Sequence, residues 1–175
     1  MALPKRIVVV CSGNTCRSAM AEAMLRKALA DEFGARACGV TVESAGLFAS
    51  EGEPASENAR AVMMERGIDI SSHRARVLSE DVVEGADLVL VMTAAHKQIL
   101  LERHPSLKGK VFTLNEFAGL EGELGTDTRD PFGGSVSVYR AAADAIEKAV
   151  ARSVKRIGEM CAENRTGSKE PSGHE

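Results

Sequence analysis

The chain has no tryptophan, one tyrosine (Tyr139) and five phenylalanines, an aromatic content of 3 %. So few ring faces provide no stacking platform for single-stranded nucleic acid, and a formal net charge of -3 leaves no basic stripe to follow a phosphate backbone. Nucleic acid is therefore not an expected partner, and any basic site must be local. Cysteine is also sparse. The four residues Cys11, Cys16, Cys38 and Cys161 form no C-x2-C knuckle and no regular framework, which argues against a zinc site and against a secreted disulfide scaffold. Neither a metal nor a cofactor is expected, and a reducing cytoplasm is the expected compartment. Long apolar runs are missing as well. Lys5 and Arg6 precede a run of only four apolar residues, too short for a signal peptide or a membrane span.

At 175 residues and 44 % hydrophobic content the chain suits one domain, able to bury roughly 70 % of its unfolded surface without staples. That domain is expected to fill residues 1–162. From Glu163 onward no large apolar residue occurs, so 163–175 reads as a disordered tail. There is no internal repeat, and a monomer is expected.

Helical and extended patterns alternate, which predicts an α/β fold with a parallel sheet and helices on both faces. Arg6 to Val10 is the first strand. A helix follows, with Met20, Ala21, Met24, Leu25, Ala28, Leu29 and Phe33 on one stripe and Gly34 as its stop. Val40 to Glu43 alternates and reads as a second strand. Pro54 suits a helix start, so the next helix is placed at Ala55 to Arg66 and ended by Gly67. A short helix after Ser79 leads to Asp87 through Met92, whose unbroken apolar character suits a central strand. Thr93 is a candidate cap for a helix from Ala94 to Arg103, blocked by Pro105, and Lys110 to Leu114 is a fourth strand. Gly119 to Gly134 loses all periodicity and is long enough to read as a functional loop. Ser135 then caps a last helix whose buried stripe is Val138, Ala142, Ala145, Ile146, Ala149, Val154 and Ile157.

The chemistry gathers at the end of the first strand, where Ile7 to Val10 run into Cys11-Ser12-Gly13-Asn14-Thr15-Cys16-Arg17-Ser18 and a helical pattern begins. A buried strand thus delivers a cysteine to the mouth of a helix. Seven residues from Cys11 to Arg17 are enough for the backbone to curl round an oxyanion, with Gly13 free to take positive φ and the helix N-terminus offering unpaired N–H groups. Beside an arginine and a helix N-terminus a cysteine pKa near ~8.5 can fall to roughly 3.5–7.5, so Cys11 is expected as a thiolate. A ring of N–H donors, a bidentate guanidinium from Arg17 and a nucleophile beneath them describe phosphoryl transfer through a phosphocysteine. Such a reaction needs an acid for the leaving group and a base for water, and one carboxylate can serve both in turn. Asp130 is the candidate, because Pro131 stiffens the backbone and holds residue 130 extended over the cradle. Asp127 is the alternative.

This cradle, together with Ser44-Ala45-Gly46, Ser71-Ser72-His73-Arg74-Ala75-Arg76 and Asp130-Pro131, resembles the low-molecular-weight protein tyrosine phosphatase family over roughly residues 5–158. The resemblance implies a four-stranded parallel sheet of flavodoxin-like winding, with Cys11 as nucleophile, Arg17 as phosphate clamp and Asp130 as general acid and base. Ser12, Gly13, Asn14, Thr15, Cys16, Arg17 and Ser18 would surround the phosphate. It also implies that Asn14 holds the strained loop with help from His73, and that Ser18 stabilises the thiolate as a leaving group. Family members acting on phosphotyrosine carry a branched aliphatic residue where this chain has Thr15, and a tyrosine pair where it has Phe132-Gly133. Thr15, the run Asp130 to Ser135, Gly46 to Ser50, Met92-Thr93 and His96-Lys97-Gln98 resemble instead the bacterial protein-arginine phosphatases. A hydroxyl at position 15 tolerates a planar guanidinium and can help place water. Asp130 can pair with that guanidinium as well as protonate the departing nitrogen, and Phe132 is a candidate pocket wall.

Phosphorylated proteins are thus the expected partners, with phosphoarginine first and phosphotyrosine second. Three further readings carry less weight. Arsenate reduction needs more cysteines to pass an oxidation along, and none lies between Cys38 and Cys161. A thiol redox switch would join Cys11 to Cys16, as a regulatory layer on the enzyme. A phosphate-binding module without turnover would gain nothing from Asp130 beside a dianion.

Overall fold

The computed structural model describes residues 3–166. Four strands, β1 (Arg6–Cys11), β2 (Thr41–Gly46), β3 (Leu88–Val91) and β4 (Val111–Thr113), pair in parallel in the order β2-β1-β3-β4. Seven helices accompany them: α1 (Arg17–Phe33), α2 (Glu57–Glu65), α3 (Glu80–Val83), α4 (Ala94–Arg103), α5 (Leu114–Phe117), α6 (Glu121–Leu124) and α7 (Val136–Thr166). Short 3-10 turns cover Gly34–Gly39 and Pro105–Leu107.

The two faces of β1 explain the layers. Ile7, Val9 and Cys11 belong to one core cluster, with Met20 and Leu25 of α1 and Ile146 and Val150 of α7. Val8 and Val10 belong to a second, with Val82 of α3, Leu100 of α4 and Leu107. A strand buried on both sides has no reason to alternate apolar and polar residues, which is why Ile7 to Val10 is continuous. The predicted fold class, a single α/β domain with helices on both faces of a four-stranded parallel sheet, is the one observed.

Element ends differ from expectation in instructive places. β2 runs on to Gly46 because Ser44 and Ala45, poor strand formers alone, pair with Val9 and Val10. Helix α2 begins at Glu57, not at Ala55. Ser56 is its cap, its Oγ accepting from Ala59 N at 3.3 Å, and Pro54 stays in an isolated antiparallel bridge to Arg74. Thr93 caps α4 as expected, accepting from His96 N at 3.1 Å. Ser135 opens α7 through its backbone carbonyl, which accepts from Val138 and Tyr139. Gly34 (φ 53°) ends α1 in a conformation that disfavours a side chain. Helix α7 continues to Thr166, four residues into the segment expected to be disordered, and the remainder of that tail lies outside the described residues.

One topological point positions the site. The chain leaves β1 for β2 on one side and later returns to β3 on the other, so the loops after β1 and β3 part at the carboxyl ends of those strands. In open parallel sheets ligands bind in that crevice. Cys11 is the last residue of β1.

Candidate active site

The loop from Cys11 to Arg17 joins β1 to α1 through one strained residue. Asn14 has φ 56° and is fully buried; Gly13, expected to absorb the turn, does not adopt positive φ. Asparagine tolerates this region better than most residues, and here its neighbours hold it there. The Asn14 Nδ2 group donates to Ser18 Oγ at 2.8 Å and to Ser44 Oγ at 2.9 Å. Its Oδ1 accepts from Arg76 N at 3.1 Å, and its backbone carbonyl faces His73 Nε2 at 2.7 Å. A carbonyl can only accept, so that imidazole nitrogen carries a proton. The other ring nitrogen lies 3.8 Å from Glu22 Oε2, and Glu22 in turn bonds Ser44 Oγ and Arg26. Bonding every polar side-chain atom of a buried asparagine fixes the loop far more firmly than the backbone alone would.

Within the loop Cys11 is 3 % exposed, and its Sγ is contacted by Ser18 Oγ at 2.9 Å and by the Asn14 amide at 3.3 Å. Both partners can donate to sulfur. Among the described residues no side chain caps the N-terminus of α1, whose cap position is Cys16, so its first amides remain free to bond a ligand at the loop. Arg17 is buried, with Nη1 donating to Thr128 O at 3.0 Å and Nη2 standing 3.3 Å from Asp130 Oδ2. The Asp130 side chain is half exposed, at 52 %. Its other oxygen accepts from Phe132 N at 3.1 Å, closing a turn round Pro131 that aims the carboxylate at Arg17. Asp127 is engaged elsewhere, its Oδ1 accepting from Ala94 N at the start of α4.

The stretch from Gly119 to Gly134, expected as a loop, carries the short helix α6 and is well anchored. Thr128 N donates to Met92 O at 2.8 Å, and Asn115 Nδ2 donates to Gly125 O at 2.9 Å. On the opposite rim, Leu47 N and Phe48 N donate to the carbonyls of Cys11 and Ser12. Phe48 and Phe132 are exposed at 63 % and 77 %, and Thr15 is half-buried. Cys16 has partners of its own: its Sγ lies 3.2 Å from Tyr139 Oη and 3.4 Å from Ser56 Oγ. Burial, and then the bond to Cys16, push the Tyr139 phenol up to about 12, so it stays protonated.

The structure therefore brings Cys11, Asn14, Arg17, Ser18, His73 and Asp130 together. Sequence reasoning missed Glu22, Thr128, Ser56 and Tyr139. Glu22 had a faint signal, lying one helical turn beyond Ser18 among apolar neighbours. Thr128 contributes only a carbonyl and had none. Among the described residues no group of three or more His, Cys, Asp or Glu is placed to hold a metal ion, and no helix is long and apolar enough to cross a membrane.

A buried thiol bonded by a loop amide and a serine hydroxyl, a buried guanidinium on the same loop and a carboxylate 3.3 Å from that guanidinium are the site of a cysteine-dependent phosphatase of the parallel α/β type. Residues 6–163 match the family described as low molecular weight phosphotyrosine protein phosphatase, and the chain belongs to that family of hydrolases. Among its relatives, the protein-arginine-phosphatase of Geobacillus stearothermophilus is 42 % identical over 89 % of this chain and 97 % of its own length. The probable low molecular weight protein-tyrosine-phosphatase EpsP of Ralstonia nicotianae is also 42 % identical, over 87 % of this chain and 96 % of its own. The solved YwlE arginine phosphatase from Geobacillus stearothermophilus superimposes with a TM-score of 0.76 at 39 % identity, covering 98 % of this chain and all of that one (100 %).

Proposed function

We propose that this phosphatase acts on phosphoarginine in proteins, through a phosphocysteine on Cys11. The observation that carries the mechanism is the single guanidinium of Arg17, set between the cysteine loop and Asp130, which lies 3.3 Å away. The Cys11 sulfur attacks phosphorus while Arg17 and the loop amides hold the non-bridging oxygens. The P–N bond breaks, and the Asp130 carboxyl gives its proton to the departing guanidino nitrogen. Asp130, now a carboxylate, takes a proton from water as that water attacks phosphorus, and the S–P bond breaks to release phosphate. Ser18, 2.9 Å from the sulfur, supports it as it leaves.

Two features favour arginine over tyrosine. Thr15, half-buried on the loop, offers a hydroxyl where a phenyl ring would prefer an aliphatic wall, and Phe132-Gly133 leaves one aromatic side chain on the acid loop. The kinship to an arginine phosphatase points the same way, while the equal identity to a probable tyrosine phosphatase keeps phosphotyrosine as the second reading. Sparse cysteines without a paired framework favour a reducing cytoplasm as the compartment of this reading, in which the enzyme acts on phosphorylated proteins as a monomer and the steps above call on no cofactor.

The test compares turnover of phosphoarginine and phosphotyrosine peptides side by side. Wild type should prefer phosphoarginine, and Thr15→Ile should shift the ratio of kcat/KM toward phosphotyrosine by about tenfold or more, the scale of one pocket contact. A ratio unmoved by Thr15→Ile removes Thr15 as the selector, and a wild-type preference for phosphotyrosine removes the arginine reading.

A further inference from the structure

One buried side chain at the site is only half satisfied. His96 is 5 % exposed and occupies the first turn of α4, where the Thr93 cap holds its backbone. Its Nε2 lies 2.8 Å from Oγ of Ser12, the residue after Cys11 in the phosphate loop. Its Nδ1 is buried with no hydrogen-bond partner among the described residues. Burial, and then the nearby charge of Arg17, lower its pKa to about 4 against the opposing pull of Asp127 and Asp130. The ring is therefore neutral and carries one proton.

Where that proton sits decides what Ser12 can do. On Nδ1 it would leave a buried donor with nothing to bond, while Nε2 took the hydroxyl proton of Ser12. On Nε2 it leaves only a bare lone pair, and Ser12 Oγ becomes the acceptor. Buried donors without partners are the rarer defect in folded proteins, as backbone groups show, so the second arrangement is favoured. The hydroxyl proton of Ser12 is then released from His96. Ser12 is half-buried within the loop, and a phosphoryl group held by that loop would offer its hydroxyl a strong acceptor.

We propose that His96 is a positioning residue: by donating its Nε2–H to Ser12 Oγ, it turns the Ser12 hydroxyl toward the phosphoryl group as a donor additional to the loop amides and Arg17. This rests on the phosphatase reading of the loop. It also explains a histidine held neutral so close to an arginine, since one N–H and no extra charge are what the arrangement uses.

A double-mutant cycle read on inorganic phosphate tests it, with the inhibition constant of phosphate measured for wild type, Ser12→Ala, His96→Leu, His96→Gln and the Ser12→Ala/His96→Leu pair. Loss of a hydrogen bond to a charged group should weaken phosphate about tenfold in either Ser12→Ala or His96→Leu. The pair should be no weaker than the worse single variant, because one hydroxyl carries both effects. His96→Gln, which keeps an N–H donor, should recover most of the affinity; a merely structural role for the ring would not be rescued so selectively. Unchanged affinity in Ser12→Ala, or losses that multiply in the pair, overturns the proposal. If His96→Leu does not fold, Ser12→Ala and His96→Gln decide: weak phosphate binding in the first and near-normal binding in the second supports it, and any other pattern refutes it. Failure of the phosphatase reading shows separately, as turnover that survives in Cys11→Ser.

Discussion

Gly46→Ala is the substitution whose consequence the structure states most directly. Gly46 ends β2 and lies under the phosphate loop, where a β-carbon would stand 2.5 Å from Ser12 O, 2.8 Å from Ala49 Cβ and 3.1 Å from Asn14 N. Two of these atoms are loop backbone and cannot turn aside as a flexible side chain would. Gly46 is not among the residues of positive φ, so the whole penalty is steric. Relief requires a shift of about 0.5 Å or more, and overpacking of this sort costs roughly 1–3 kcal/mol. In a chain of this size that lowers Tm by about 2–12 °C. Activity should suffer more than stability. The atoms displaced belong to the loop that places Cys11, and a misplacement of about 1 Å in a reacting group can cost on the order of 10² in rate. The assay pairs a thermal melt with kcat/KM on a phosphoarginine peptide. A variant with normal kcat/KM and an unshifted Tm would show that β2 does not press on the loop and would refute the reasoning.

Asp130→Ala should lower kcat by roughly 10²–10⁴, more for substrates with poor leaving groups than for good ones. An equal loss across leaving groups, followed by kinetics on a graded substrate series, would assign the proton transfer elsewhere. Stability should also carry a pH signature from Glu116, the capping-box residue of α5. Its partial burial alone would raise its pKa, but bonds from Lys97 and the Thr113 amide, with the charges of Lys97 and Arg156, outweigh that and leave it below the ordinary 4.5. A folded pKa below the unfolded one means that the stabilisation is complete above the unfolded value and is lost as pH falls through the folded one. Glu116→Gln should therefore cost about 1 kcal/mol in urea unfolding at neutral pH and nothing once the carboxylate is protonated; a cost independent of pH would contradict the assignment.

Much of this was legible because it depends on short stretches of chain. The unbroken run Ile7 to Val10, the cysteine after it, the helical stripe from Met20 to Phe33 and the stop at Gly34 are all local signals, and each is where the residues said. The fold class follows from the alternation of such signals. What was hidden depends on distant partners. β2 reaches Gly46 only because β1 is there to pair with it. Asn14, not Gly13, takes the left-handed conformation because Ser18, Ser44 and Arg76 join His73, the one partner the resemblance implied, in holding it. His96 was visible only as one letter in a familiar run, and nothing in its neighbours announced that its ring would lie behind Ser12. Pro54 is an example of two local rules in conflict: it suits a helix start, yet Ser56 two residues on supplies the acceptor that the first-turn amides need.

The contacts of Arg17 make the resting site its own placeholder. One arm of the guanidinium is tied to the carbonyl of Thr128, and the other leans on Asp130 two residues further along the same strip of chain. An arriving phosphoryl group competes for the second arm and frees the carboxylate without loosening the first. In the proposed reaction Asp130, once protonated, turns from this guanidinium to the guanidino group of the substrate, and so exchanges one partner for a chemical twin.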